Sequence, residues 1–121
     1  MSNIIVDLEK GEGVYPIKLN DIQIGVITVN KYQDKQLLCV FNVHIPEMKN
    51  RGKDYFPKAI KYLEEYGKEN DFKYIILSWI KLKYVDSWKK RGFRLVTPEE
   101  YEFFPIQKDD EEMNLDIIKP L

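Results

Sequence analysis

From Tyr55 to Lys68 apolar residues recur at three- and four-residue steps, at Phe56, Ala59, Ile60, Leu63 and Tyr66 or Gly67, and this period predicts an amphipathic helix. Asp54 stands where an N-cap belongs, and Pro57 falls in the first turn, where backbone N–H groups have no intrahelical partner. Other stretches carry the two-residue period of strands. Asn3 to Leu8 reads as a short strand followed by a Gly-rich turn, Glu9 to Gly13. Val14 to Asn20 and Ile22 to Asn30, rich in β-branched residues around Asn20-Asp21, predict a hairpin, with Pro16 marking an edge or a strand start. Gln36 to Ile45 alternates Leu37, Cys39, Phe41, Val43 and Ile45 with Leu38, Val40, Asn42 and His44, so both faces of this strand are expected to be largely covered.

Phe72 to Ile80 follows as a buried strand, Tyr84 to Arg91 as a short helix stopped by Gly92, and Phe93 to Val96 and Leu115 to Lys119 as closing strands. Thr97-Pro98-Glu99-Glu100 carries the N-cap-then-proline signature of a helical turn, while Tyr101 to Gln107 is ambiguous. Strand, helix and strand over residues 36–80 imply a parallel pair joined by a right-handed crossover, preceded by antiparallel strands. The expected architecture is a single α/β (α+β) domain over residues 1–121: a mixed sheet of about six to seven strands flanked by helices, with Trp79 and Trp88 in the core.

A chain of 121 residues that is 44% apolar fits one domain with a core of its own. Cys39 is the only cysteine, which excludes an internal disulfide and points to a reducing compartment. No apolar run approaches the ~20 residues of a membrane span, and Asp7 interrupts the start before any signal-length stretch, so a cytoplasmic protein without membrane attachment is expected. One His and one Cys do not make a zinc site, and Asp109-Asp110-Glu111-Glu112 lacks the spacing of a calcium loop; no metal is expected, and this run reads as an exposed acidic loop. The net charge of −1 conceals a basic middle, for residues 49–94 carry 13 Lys or Arg against 6 acids. Such a region is either a solvated surface or a contact for a polyanion.

Where the strand ending Val43-His44-Ile45 meets the predicted helix, Lys49, Arg51 and Lys53 surround Gly52. Three cations beside a helix N-terminus suit an anion, with pyrophosphate the natural candidate. The order of elements and several motifs together resemble the GCN5-related N-acetyltransferase superfamily over most of the chain. Ile24-Gly25-Val26-Ile27 is similar to that family's apolar-Gly-apolar-apolar strand, and Val43 to Glu47 to its fourth strand ending in Val and Pro. Arg51-Gly52-Lys53 with Ala59, Ile60 and Leu63 is similar to its pyrophosphate loop and following helix. Trp88 to Phe93 resembles its Tyr-x-x-x-Gly-Phe, and Ile117 to Leu121 its closing strand.

The resemblance implies an acyl-CoA N-acyltransferase fold lacking the family's first two helices, since only Glu9 to Gly13 separates the first two strands. It implies acetyl-CoA as cofactor, with Val43 and Ile45 pairing to the pantetheine and the turn of Arg51, Gly52, Lys53, Asp54 and Tyr55 at the phosphates. Asp54 stands where the family's loop has Gly or Ala, so binding is expected to be weak. Trp88 replaces the family's proton-donating Tyr; Tyr84, one turn earlier on the same helix face, is the candidate general acid, and His44 or Glu47 the candidate base. The expected function is acetylation of an amine, with the missing helices leaving an open cleft suited to a macromolecular acceptor. The alternative keeps the fold without the chemistry, as a module binding a protein or, as the weaker expectation, a nucleic acid through its basic middle. A protein partner, acidic toward Lys81, Lys83, Lys89, Lys90 and Arg91, is expected, with the chain itself a monomer or a homodimer.

Overall fold

The computed structural model describes residues 4–9, 13–46, 55–104, 106 and 114–121. Among these, seven strands form one mixed sheet in the order β1-β2-β3-β4-β5-β7-β6. They are β1 (Ile4–Val6), β2 (Val14–Leu19), β3 (Ile22–Tyr32), β4 (Leu37–His44), β5 (Tyr74–Lys81), β6 (Arg94–Leu95) and β7 (Asn114–Pro120); the helices are α1 (Tyr55–Glu69), α2 (Leu82–Lys89) and α3 (Pro98–Phe103). β1 to β4 form an antiparallel meander, β4 and β5 are parallel across α1, and β7 inserts antiparallel between β5 and β6.

Local chemistry accounts for the joints. Asn20 and Asp21 both take positive φ, 50° and 70°, the double left-handed turn that matches strand twist in a two-residue hairpin. The Thr97 side chain accepts from the Glu100 N–H while Glu100 accepts from the Thr97 N–H, a capping box that starts α3 with Pro98 in its first turn. α2 ends as Gly92 (φ 94°) turns the chain, with the Gly92 N–H donating to Lys89 O and the Phe93 N–H to Trp88 O.

Two apolar layers cover the sheet. Tyr55, Ala59, Ile60 and Leu63 of α1 and Val85 and Trp88 of α2 pack on one face, where full burial of Ile60 and Leu63 contributes about 1.5–3 kcal/mol each. Leu37, Cys39, Ile76 and Ile118 meet Val96, Phe104 and Ile106 on the other. The alternation expected along β4 fails after Phe41, because Val43 and Ile45 lie with Leu38 and Val40 under α1 and α2, while Phe41 still lies with Leu37 and Cys39. A bulge is the cause. The β3 pairing passes from Thr28↔Asn42 to Val29↔Val40, which leaves Phe41 without a partner and inverts every later side chain. No helix of the described residues is long and apolar enough to cross a membrane.

Candidate active site

β4 and β5 pair only from Leu37↔Tyr74 to Val40↔Leu77, and β4 then continues to His44 with no β5 residue opposite. Both strands bulge where they part. On β5 the register passes from Leu77↔Ile117 to Ile80↔Leu115, so Ser78 and Trp79 together oppose Asp116. Leu77 and Ile80, three residues apart, consequently share the α1 and α2 face. An extra residue bends and twists its strand, and two such bends at one point open the sheet.

The opening is a cleft of about 770 Å³. One wall is β4, from Val40 to His44, and Ile45; the other is β5, from Leu77 to Lys81; Tyr55, Phe56 and Pro57 of α1 and Tyr84, Ser87 and Trp88 of α2 close one side. Gly25 of β3 allows the β4 wall to sit where it does, because a Cβ there would overlap the His44 carbonyl oxygen and lie 3.0 Å from Ile45 Cγ1. Trp88, buried, packs edge-to-face on Phe56 and Phe93 at 5.2 and 5.4 Å, and this cluster fixes α2 against the start of α1. Arg91 lies over Trp88 at 5.4 Å and donates to Ser87 Oγ at 2.6 Å. The cleft adjoins a second hollow of about 470 Å³ that shares Pro57, Trp88 and Arg91 with it and is lined by Lys58, Lys61, Lys68 and Lys119, with Glu64 and Glu65 among them. Glu64 is paired with Lys119.

Trp79 is the exception among the site's side chains. Its φ is +62°, the residue is 58% exposed and lines the cleft, and so the core position expected from the sequence is wrong. Left-handed backbone at a bulky residue costs about 1–3 kcal/mol and persists only where its surroundings hold it. Asp116 supplies the hold: buried to 3% exposure, it accepts from the Trp79 N–H at 3.4 Å and from the Tyr101 hydroxyl at 2.7 Å. Burial, then this bond to Asp116, pushes the Tyr101 hydroxyl pKa up, so it stays a donor. Beside it Cys39 Sγ lies 3.7 Å from Ser78 Oγ, and burial pushes the thiol up to about 12, which keeps it protonated and inert.

No protein-family model matches the sequence, and no curated protein matches it. Solved structures do. GCN5 from Tetrahymena superposes with a TM-score of 0.66 over 88% of this chain and 66% of that one, at 14% identity. An acetyltransferase from Bacillus subtilis in complex with CoA gives 0.62 over 94% and 79%, at 17% identity. The paia N-acetyltransferase from Thermoplasma acidophilum, in complex with coenzyme A, gives 0.60 over 89% and 60%, at 11% identity. This chain has the fold of the GCN5-related N-acetyltransferases.

On this acetyltransferase fold the sequence-predicted residues fall into two groups. Val43, His44, Ile45, Tyr55 and Tyr84 all line the one cleft, with His44 exposed at the end of the β4 wall and Tyr84 exposed on α2. Tyr84 and Trp88 share a helix face there, as their spacing predicts, and Lys83 Nζ lies 5.0 Å from the Tyr84 ring. Glu47, Arg51, Gly52, Lys53, Asp54 and the Asp109 to Glu112 run lie outside the described residues. β1 and β2 are joined by residues 7–13 alone, which leaves no room for the two helices the fold often carries there. Sequence reasoning missed Trp79 and Asp116. An acid between Leu115 and Ile117 in an apolar strand is the signal that marks the second of these.

Proposed function

We infer that the chain is an acyltransferase that moves an acetyl group from acetyl-CoA to an amine. The observation that carries this reading is the parting of β4 from β5 at Val40, which leaves a strand edge beside an apolar cleft. A narrow chain bearing amide groups fits such an edge as an added strand would. The residues present suit coenzyme A: Val43 and Ile45 along the wall for the pantetheine, the positive end of α1 and the Arg51 to Tyr55 turn for the pyrophosphate. The basic hollow past Arg91 suits further phosphate. Bound acetyl-CoA supplies the activated acyl group as a thioester, which the amine nitrogen takes as the carbon–sulfur bond breaks.

The chain's own residues manage protons and charge. His44, at the end of the β4 wall, takes a proton from the acceptor ammonium, with Glu47 the second base. Tyr84, on the α2 side of the cleft, gives a proton to the departing sulfur, the role that the buried indole of Trp88 does not fill. Main-chain N–H groups of β4 beyond Val40 stabilise the charge that develops on the carbonyl oxygen. The short β1–β2 joint leaves one side of the cleft open, which suits an acceptor carried on a macromolecule with an acidic surface toward Lys81, Lys83, Lys89 and Lys90. Thiol release from acetyl-CoA, measured over a panel of primary amines beside calorimetric titration with coenzyme A, tests the reading. Binding with amine-dependent release supports it; binding without release favours the non-catalytic module, and absence of both refutes it.

A further inference from the structure

The cleft has two walls, and in the reading above coenzyme A takes the β4 wall, which leaves β5 to meet the acceptor. Trp79 stands on that wall. Nearly every other aromatic ring there is already engaged: Phe56 and Trp88 with each other, Trp88 also with Phe93 and Arg91, Tyr55 with Lys58, Tyr84 with Lys83. The Trp79 indole has no such ring or cation partner among the described residues, and the residue is 58% exposed. Its backbone is held in a left-handed bulge by a buried carboxylate that is itself bound by Tyr101, an arrangement that fixes the Cα–Cβ direction of an exposed side chain.

Charge decides what such a ring would meet. The described cleft lining includes Lys81 and Arg91 and no carboxylate, and the one carboxylate bonded to Trp79, Asp116, is buried and already bound by the Tyr101 hydroxyl, so a bare cation over the Trp79 ring gains only a modest cation–π attraction. A flat apolar group stacks on the ring and needs no carboxylate beside it. We propose that Trp79 is the acceptor platform of this cleft, stacking on an aromatic flank of the amine substrate, and that Asp116 with Tyr101 forms the positioning pair that aims it. The proposal rests on the acyltransferase reading for the word acceptor, and on the cleft alone for the binding of an aromatic amine.

Two matched primary amines, 3-phenylpropylamine and n-hexylamine, test it. With acetyl-CoA present, the ratio of kcat/KM for the aryl over the alkyl amine is compared between wild type and Trp79→Leu, so that the amines' intrinsic reactivities cancel. Ring stacking predicts a ratio about two- to twelvefold higher in wild type. Trp79→Phe should keep most of the preference, and Asp116→Asn and Tyr101→Phe should lower it, with the loss falling more on 3-phenylpropylamine than on n-hexylamine. Independently of turnover, the chain's two indole N–H resonances are followed by NMR with coenzyme A present, and Trp79→Phe assigns the one that belongs to Trp79. A saturable shift of the Trp79 resonance with 3-phenylpropylamine and none with n-hexylamine supports the platform even if no acetylation occurs, in which case it is the acyltransferase reading that fails. Acetylation of both amines with an unchanged ratio in Trp79→Leu overturns the platform and leaves the acyltransferase reading standing. No turnover and no Trp79 shift also overturns the platform.

Discussion

Gly25→Ala puts the geometry of the β4 wall to the test. A Cβ at residue 25 overlaps the His44 carbonyl oxygen and comes within 3.2 Å of the His44 carbonyl carbon, and both are backbone atoms that no rotamer change removes from the path. The end of β4 must therefore retreat, by on the order of 1 Å, to restore ordinary van der Waals separation. Overpacking of this kind costs about 1–3 kcal/mol, and at this chain length that lowers the melting temperature by on the order of 10 °C. The functional cost is expected to be larger, since a displacement of about 1 Å at a reacting centre can remove about 10²-fold of rate. Gly13→Ala serves as the control: φ there is +88° and nothing lies within 4 Å, so this change costs about 1 kcal/mol of backbone strain without touching the cleft. Thermal melting and calorimetric titration with coenzyme A are run on both variants. Gly25→Ala should bind coenzyme A at least about tenfold more weakly than Gly13→Ala. Wild-type affinity in a folded Gly25→Ala protein would refute the placement of the cofactor against β4.

Tyr84→Phe is expected to lower kcat by about 10²- to 10⁴-fold with little change in coenzyme A affinity, and His44→Ala to lower kcat/KM over the same range; losses below about twofold in both would remove them from the mechanism. Asp54→Gly should tighten coenzyme A by about tenfold in calorimetry, because it removes a negative charge from the residue that precedes α1 in the sequence. The bidentate ion pair with Arg94, at 2.7 and 2.9 Å, holds Glu100 down to about 2 from 4.5. A carboxylate depressed on folding stabilises above its unfolded value, and that gain is lost as pH falls from about 4.5 to 2. Because Arg94 is half exposed, the gain is held to about 1 kcal/mol, so Glu100→Gln should unfold earlier in urea at pH 7 and together with wild type near pH 2.

The elements were legible wherever local chemistry decided them. Asn20-Asp21 between β-branched runs dictates its hairpin, the Phe56 to Tyr66 period dictates α1, and Thr97 with Pro98 and Glu100 dictates the start of α3. The cleft was legible only through resemblance, because the parting of β4 and β5 depends on two bulges, and a bulge leaves no fixed mark on the alternation. Gln36 to Ile45 reads as unbroken alternation although Phe41 interrupts it, so Val43 and Ile45 were expected on the face opposite to the one they occupy. Trp79 misleads for the same reason: within an apolar run it looks buried, and the carboxylate that holds it outward comes from Asp116, 37 residues later. A contact of that kind is set by tertiary packing and not by local sequence.

The central claim is that coenzyme A lies in the opening between β4 and β5, and backbone amide NMR of the intact chain during titration with coenzyme A tests it most directly. Saturable shifts concentrated at Phe41 to Ile45 and the first turn of α1, with the Asn20-Asp21 hairpin unmoved, are the predicted result. Saturation without any shift along β4 beyond Val40, or no saturable change up to millimolar coenzyme A, would contradict it.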